Sequence, residues 1–190
     1  MRREAEIAAL TLDPSTNSPV VVLREKGGAD QIPIWIGFVE ASAIAMELER
    51  IKVARPLTHD LLKNVITTLE SQLVSIEVSD LKDNTYFAKL QLNRQGNAIE
   101  VDSRPSDAIA LAVRFGAPIF INEKVFEASS RRADEEPIAA EAGDESDLPA
   151  ERVPQGGEDP LAALAQFREE NREKWDELLE QLDPTKLSKQ

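Results

Sequence analysis

Glu100-Val101-Asp102-Ser103-Arg104-Pro105-Ser106-Asp107-Ala108-Ile109-Ala110-Leu111-Ala112-Val113-Arg114 is the stretch around which the chain is organised. Ile99 and Val101 alternate with polar residues as in a strand, and Pro105 suits the first turn of a helix. Apolar residues then stand at 108, 109, 111, 112, 113 and 115, a band too wide for one stripe, so this helix is expected to be covered on two sides. Gly116 is placed to end it and Pro118 forbids its continuation, leaving Pro118-Ile119-Phe120-Ile121 as a last buried strand. A strand that turns tightly into a buried helix, then into another strand, calls for a sheet with helices packed on it.

Upstream, Val74, Ile76 and Val78 alternate with Ser75, Glu77 and Ser79, and Tyr86, Ala88, Leu90 and Leu92 alternate with Phe87, Lys89 and Gln91 across Lys82-Asp83-Asn84. That is a hairpin with two distinct faces. Ile7–Leu12, Val20–Leu23 and Ile32–Ile36 read as further strands separated by Pro, Gly, Asn and Asp. Phe38–Ile51 has a helical period, with Ala41, Ile44, Ala45, Leu48 and Ile51 on one stripe. A second helix follows Arg55-Pro56-Leu57-Thr58-His59-Asp60, with Thr58 as the expected N-cap and Leu61, Leu62, Val65, Ile66 and Leu69 as the expected buried stripe. The order of elements predicts an α+β fold, a mixed β-sheet with three helices packed on it.

Composition changes after Phe126. Residues 1–125 carry 14 Lys and Arg against 17 Asp and Glu, whereas the remaining 65 carry 8 against 18. The expected organisation is a domain over residues 1–127, an acidic, solvated linker over 128–159, and a C-terminal helix and tail over 160–190. In that last part Leu161, Leu164, Phe167, Trp175, Leu178 and Leu182 form a broken apolar stripe, a possible docking face for a protein partner. Cysteine is absent, so disulfides, thiolate metal sites and a cysteine nucleophile are excluded. No window resembles a signal peptide or a membrane span, and a cytoplasmic protein without membrane association is expected.

The turn at 102–107 has two chemical readings. In one, Ser103 or Ser106 caps the helix, Asp107 complements its dipole and Arg104 pairs with a neighbouring acid. In the other, the helix start and Arg104 face a phosphate, while Asp102 and Asp107 hold one Mg²⁺ or Mn²⁺. His59, the sole histidine, excludes a multi-histidine metal site within one chain but leaves a general base open. Glu40, in the first turn of its helix, is a dipole complement or a further carboxylate. Phosphate-loop, dinucleotide, nucleophile-elbow and HExxH patterns are absent.

Three blocks together, Pro33-Ile34-Trp35-Ile36-Gly37 with Glu40-Ala41, then Arg55-Pro56-Leu57-Thr58-His59-Asp60-Leu61-Leu62, then Ser103-Arg104-Pro105-Ser106-Asp107-Ala108-Ile109-Ala110-Leu111-Ala112, resemble the bifunctional nuclease family over about residues 4–126. The acidic connection and the segment ending at Asp183-Pro184 are similar to the tails of actinobacterial members. The resemblance implies an α+β fold and cleavage of phosphodiester bonds in DNA and RNA, metal-assisted and of low sequence specificity. It implies nucleic acid as substrate, and a homo-oligomer, such as a dimer, is expected. Carried onto matching positions, it makes Asp107, Glu40, Asp60 and His59 the catalytic candidates and Arg104, Arg55 and Ser106 the phosphate ligands. A divalent metal would sit on Asp107 and Asp102. The alternative is a non-catalytic regulatory module of the same fold that binds a ligand or protein.

Overall fold

A computed structural model describes residues 1–135. Seven strands and four helices follow in the order β1 (Arg2–Leu12), β2 (Pro19–Glu25), β3 (Gln31–Trp35), α1 (Phe38–Leu48), α2 (Thr58–Thr68), β4 (Ser71–Lys82), β5 (Thr85–Arg94), β6 (Asn97–Ser103), α3 (Pro105–Phe115), β7 (Ile119–Asn122) and α4 (Glu123–Glu135). They build one mixed sheet in the order β3-β2-β1-β7-β4-β5-β6. The β4–β7 pairing is parallel and the others are antiparallel.

Alternation along the strands separates two faces. Ala88 opposes Val78 and Leu90 opposes Ile76, while Ile119 and Ile121 lie in register with Ile76 and Val78. These side chains join Leu10, Val21, Leu23, Ile32 and Ile34 in one core with buried residues of all four helices. The opposite face bears cross-strand ion pairs, Arg24 to Glu6 at 2.7 Å and Lys89 to Glu100 at 2.6 Å. The fold is therefore two layers, with the helices on one face of the sheet.

Helix α3 occupies the centre of the helical layer. Ala108, Ile109, Ala110, Leu111 and Ala112 are each at most 1% exposed. The three alanines keep the helix slim enough to lie between α1 and α2 while it packs on β4 and β5. Pro105 is in its first turn, and Gly116 ends it in the left-handed region with φ 64°. That conformation disfavours a Cβ, so Gly116→Ala should cost about 1 kcal/mol, read as a lower denaturant midpoint at unchanged slope. An unchanged midpoint would contradict this account of the helix end.

Four expectations are corrected. The α2 stripe is largely in water: of its five members only Ile66 is buried, because the helix meets α3 and β4 through the side bearing His59, Lys63 and Ile66. Serine does not cap α3. Its N-cap is Arg104, without a side-chain cap bond, and Ser103 Oγ donates to the Arg104 carbonyl at 3.0 Å. The N-cap of α2 is Leu57 rather than Thr58. A fourth helix, α4, starts at Glu123 and runs through Glu135 into the expected linker, anchored by the buried Val125, Phe126 and Ser129. Three buried positions in a highly charged stretch made too faint an apolar pattern to predict it. The rest of the expected linker and the Leu161–Leu182 segment lie outside the described residues.

Candidate active site

The starts of α1, α2 and α3 converge, and the side chains that meet there come from all three. Pro105 sets the entry into α3, so Arg104 at the N-cap and Asp107 in the first turn share one end of the helix. Arg104 grips Asp107 with two donors, Nε to Oδ2 at 2.8 Å and Nη2 to Oδ1 at 3.2 Å. Its Nη1 donates to Glu40 Oε1 of α1 at 3.1 Å. From α2, His59 Nε2 lies 3.1 Å from Asp107 Oδ1. Gly37, the N-cap of α1, leaves space for the Glu40 carboxylate to fold back over the helix start, since a Cβ there would overlap Glu40 Oε2.

Burial of Asp107 works to raise its pKa. Hydrogen bonds from Arg104 and His59 outweigh that effect and hold the carboxyl below its ordinary value. Asp107 is thus an anion that orients both the imidazole and the guanidinium. His59 is mostly covered, with 14% of its side chain exposed, whereas Arg104 is 65% exposed and open to a ligand from solvent.

Asp60 points its chemistry elsewhere. Its Oδ1 accepts from Arg114 Nε at 2.7 Å and its Oδ2 from the Leu57 N–H at 2.9 Å. Arg114 also donates to the carbonyls of Ala43 at 2.9 Å and Ala110 at 3.0 Å, and its own carbonyl accepts from Lys63 Nζ. This network ties α1, α2 and α3 together behind the cluster. Burial acts to raise the Asp60 pKa, and the Arg114 and Leu57 bonds more than compensate, leaving it lowered. Arg114 is the residue of this network that the sequence reading missed. A lone cation within an otherwise apolar helix is the signal that could have exposed it, because a buried guanidinium requires a partner.

Of the remaining candidates, Ser106 shares the first turn of α3 with Asp107, while Asp102 lies on the other side of the sheet. Asp102 opposes Lys89 on the helix-free face of the sheet, since strand alternation turns it away from Val101 and the core. Ser106 is buried at 6% exposure, and Arg55 is exposed and makes no ion pair with the described residues. Trp35 of the first block donates through Nε1 to Asp13 Oδ2 at 2.9 Å, pinning the β1–β2 turn.

As arranged, the donors do not fit a resident divalent cation. Both Asp107 oxygens and Glu40 Oε1 are engaged by Arg104 or His59, and no three potential ligand residues form a metal-binding group among the described residues. An ion would have to displace a guanidinium from its carboxylates. What the cluster offers as it stands is a carboxylate-oriented imidazole beside an accessible arginine, at the meeting point of three positive helix ends.

The chain is a two-layer α+β domain that gathers Glu40, His59, Arg104 and Asp107 where three helices start. The bifunctional nuclease domain family model matches residues 21–134, and the chain belongs to that family. An uncharacterized protein of Mycobacterium tuberculosis is 40% identical over 122 residues, covering 64% of this chain and 73% of that protein. Bifunctional nuclease 1 of Arabidopsis thaliana is 31% identical over 109 residues, 55% of this chain and 34% of the plant protein. Bifunctional nuclease 1 of Oryza sativa subsp. japonica is 26% identical over 120 residues, 61% and 36% of the two chains. The chain thus spans about a third of the length of these plant relatives.

Proposed function

We propose that this protein is a nuclease of the cytoplasm that hydrolyses phosphodiester bonds in DNA and RNA with low sequence specificity. The observation that carries the reading is the Asp107–His59 pair, with Arg104 on the same carboxylate, in a member of the bifunctional nuclease domain family. Arg104 meets the phosphate with the second N–H of each Nη, the first being held by Glu40 or Asp107 and Nε by Asp107. His59, oriented by Asp107 through Nε2, takes a proton from the attacking water at Nδ1. The water oxygen bonds to phosphorus, the bond to the leaving oxygen breaks, and solvent supplies the proton to that oxygen. Recognition is through phosphate alone, so it is expected to be tolerant of base sequence.

The purified chain should nick plasmid DNA and degrade RNA, and assays in EDTA, Mg²⁺ and Mn²⁺ measure the contribution of a cation. Arg104→Gln should weaken binding and reduce the salt dependence of log K by about one phosphate contact. An unchanged salt slope would remove Arg104 from the phosphate. A second reading, a non-catalytic module, draws on the internal pairing of Arg104 with both Asp107 and Glu40, which could serve as a latch among three helices. It requires zero cleavage under every cation condition.

A further inference from the structure

We propose that β6 is the seam of a homodimer, pairing antiparallel with β6 of a second copy about a two-fold axis at Glu100. The proposal stands independently of whether the His59–Asp107 cluster cleaves nucleic acid.

Strand β6 is the last strand of the sheet, and Asn97 through Asp102 are all exposed. Its free edge has a definite hydrogen-bonding pattern. Gln95 and Gly96 form a two-residue turn with φ 51° and 87°, flanked by the Arg94–Asn97 pair. In such a hairpin the flanking pair exchanges both bonds, so Asn97, Ile99, Val101 and Ser103 are satisfied by β5. The N–H and C=O groups of Ala98, Glu100 and Asp102 consequently point outward. An axis at Glu100 sets Glu100 against itself and Ala98 against Asp102 of the second copy, which uses all these outward groups. An axis at Ile99 or Val101 leaves part of the set without a strand partner.

Side chains agree with that register. On the helix-bearing face Ile99 would meet Val101 of the second copy, twice by symmetry, and these residues are 39% and 40% exposed in one chain. On the other face the two Glu100 carboxylates would approach each other. Each is already held by Lys89 at 2.6 Å and Gln91 at 2.9 Å, which offsets the repulsion.

The uncovered stripe of α2 is a second apolar surface, on a helix whose end leads to the β5–β6 turn. Gln95 Nε2 donates to Glu70 at 2.8 Å, so the C-terminal end of α2 abuts the β5–β6 turn. Leu61, Leu62, Val65 and Leu69 are between 39 and 57% exposed. With Ile99 and Val101 they leave roughly 450 Å² of apolar surface in water, about the apolar share of a standard interface of ~800 Å² per partner. A self-complementary strand edge with apolar surface of that size fits a second copy of this chain. In this register Arg104 stands opposite Gly96 of the second copy, placing the two clusters at opposite ends of the seam, about 27 Å apart along the strand direction.

Sedimentation equilibrium of the full chain at micromolar concentration tests the assembly. A dimer is expected, with Val101→Lys and Val65→Lys each raising the dissociation constant at least about tenfold while far-UV circular dichroism is unchanged. Because the chain lacks cysteine, Glu100→Cys introduces a single thiol per copy, and a short bis-maleimide should join two copies in high yield. Asn97→Cys should not be joined, since its thiol stands about 20 Å from its symmetry mate. A monomer throughout, a dimer indifferent to Val101→Lys, or equal cross-linking at both positions would each overturn the proposal.

Discussion

Asp107→Ala is expected to lower the rate of nucleic-acid cleavage by at least about a hundredfold, the lower end of what a positioned general base contributes. The carboxylate holds His59 Nε2 at 3.1 Å and receives two donors from Arg104, so its loss frees both the imidazole and the guanidinium. His59→Gln should produce a similar loss. The double variant should be little worse than either single one, because residues that act as a unit give non-additive effects. Stability should move little, since Arg104 is largely in water and does not become a buried, unpaired charge. The measurement is initial cleavage rate on DNA and on RNA, with all variants purified in parallel. Equal residual rates for wild type and Asp107→Ala would identify a contaminant and end the nuclease proposal.

The second large effect falls on stability and involves Asp60. Asp60→Ala removes the anionic partner of Arg114, whose side chain is only 3% exposed, and also the acceptor of the Leu57 N–H. An uncompensated buried guanidinium should cost about 3 kcal/mol, or roughly 6–12 °C in melting temperature for a chain of this size. The pH dependence has a definite sign. The folded pKa of Asp60 is lowered, so the unfolded chain binds more protons in the acid range. The stabilisation is complete above the ordinary carboxylate value of about 4 and is lost as pH falls through the lower folded value. The variant should therefore have a flatter acid limb than wild type in a melting-temperature series across that range. A loss below about 1 kcal/mol, or an unchanged acid limb, would show that Arg114 is satisfied without Asp60.

These two aspartates look alike in sequence, each in the first turn of a helix after a polar loop, and the fold separates their tasks. Asp107 faces the histidine and an exposed arginine, whereas Asp60 faces a buried one. The Asp60–Arg114 and Glu40–Arg104 contacts join residues 54 and 64 positions apart, so no local pattern could select those partners. The exposed α2 stripe carries the same lesson. Leu61, Val65 and Leu69 have a helical apolar period whether a helix turns that side to its own core or to another molecule. By contrast, the placement of Asp102 was legible in advance: beside the apolar Ile99 and Val101, a period of two already puts it on the other face of its strand.

The sequence by itself determined the elements that rest on local chemistry. The β4–β5 hairpin followed from alternation, α3 from Pro105, an apolar band and Gly116, and family membership from three ordered blocks. Only the tertiary structure decided that β7 enters between β1 and β4, that Glu40, His59, Arg104 and Asp107 meet, and that Asp60 is spent on Arg114. The physical reason is range. Backbone preference and burial period act over a few residues, whereas the pairing of charges depends on which helix starts the packed core brings within hydrogen-bonding distance.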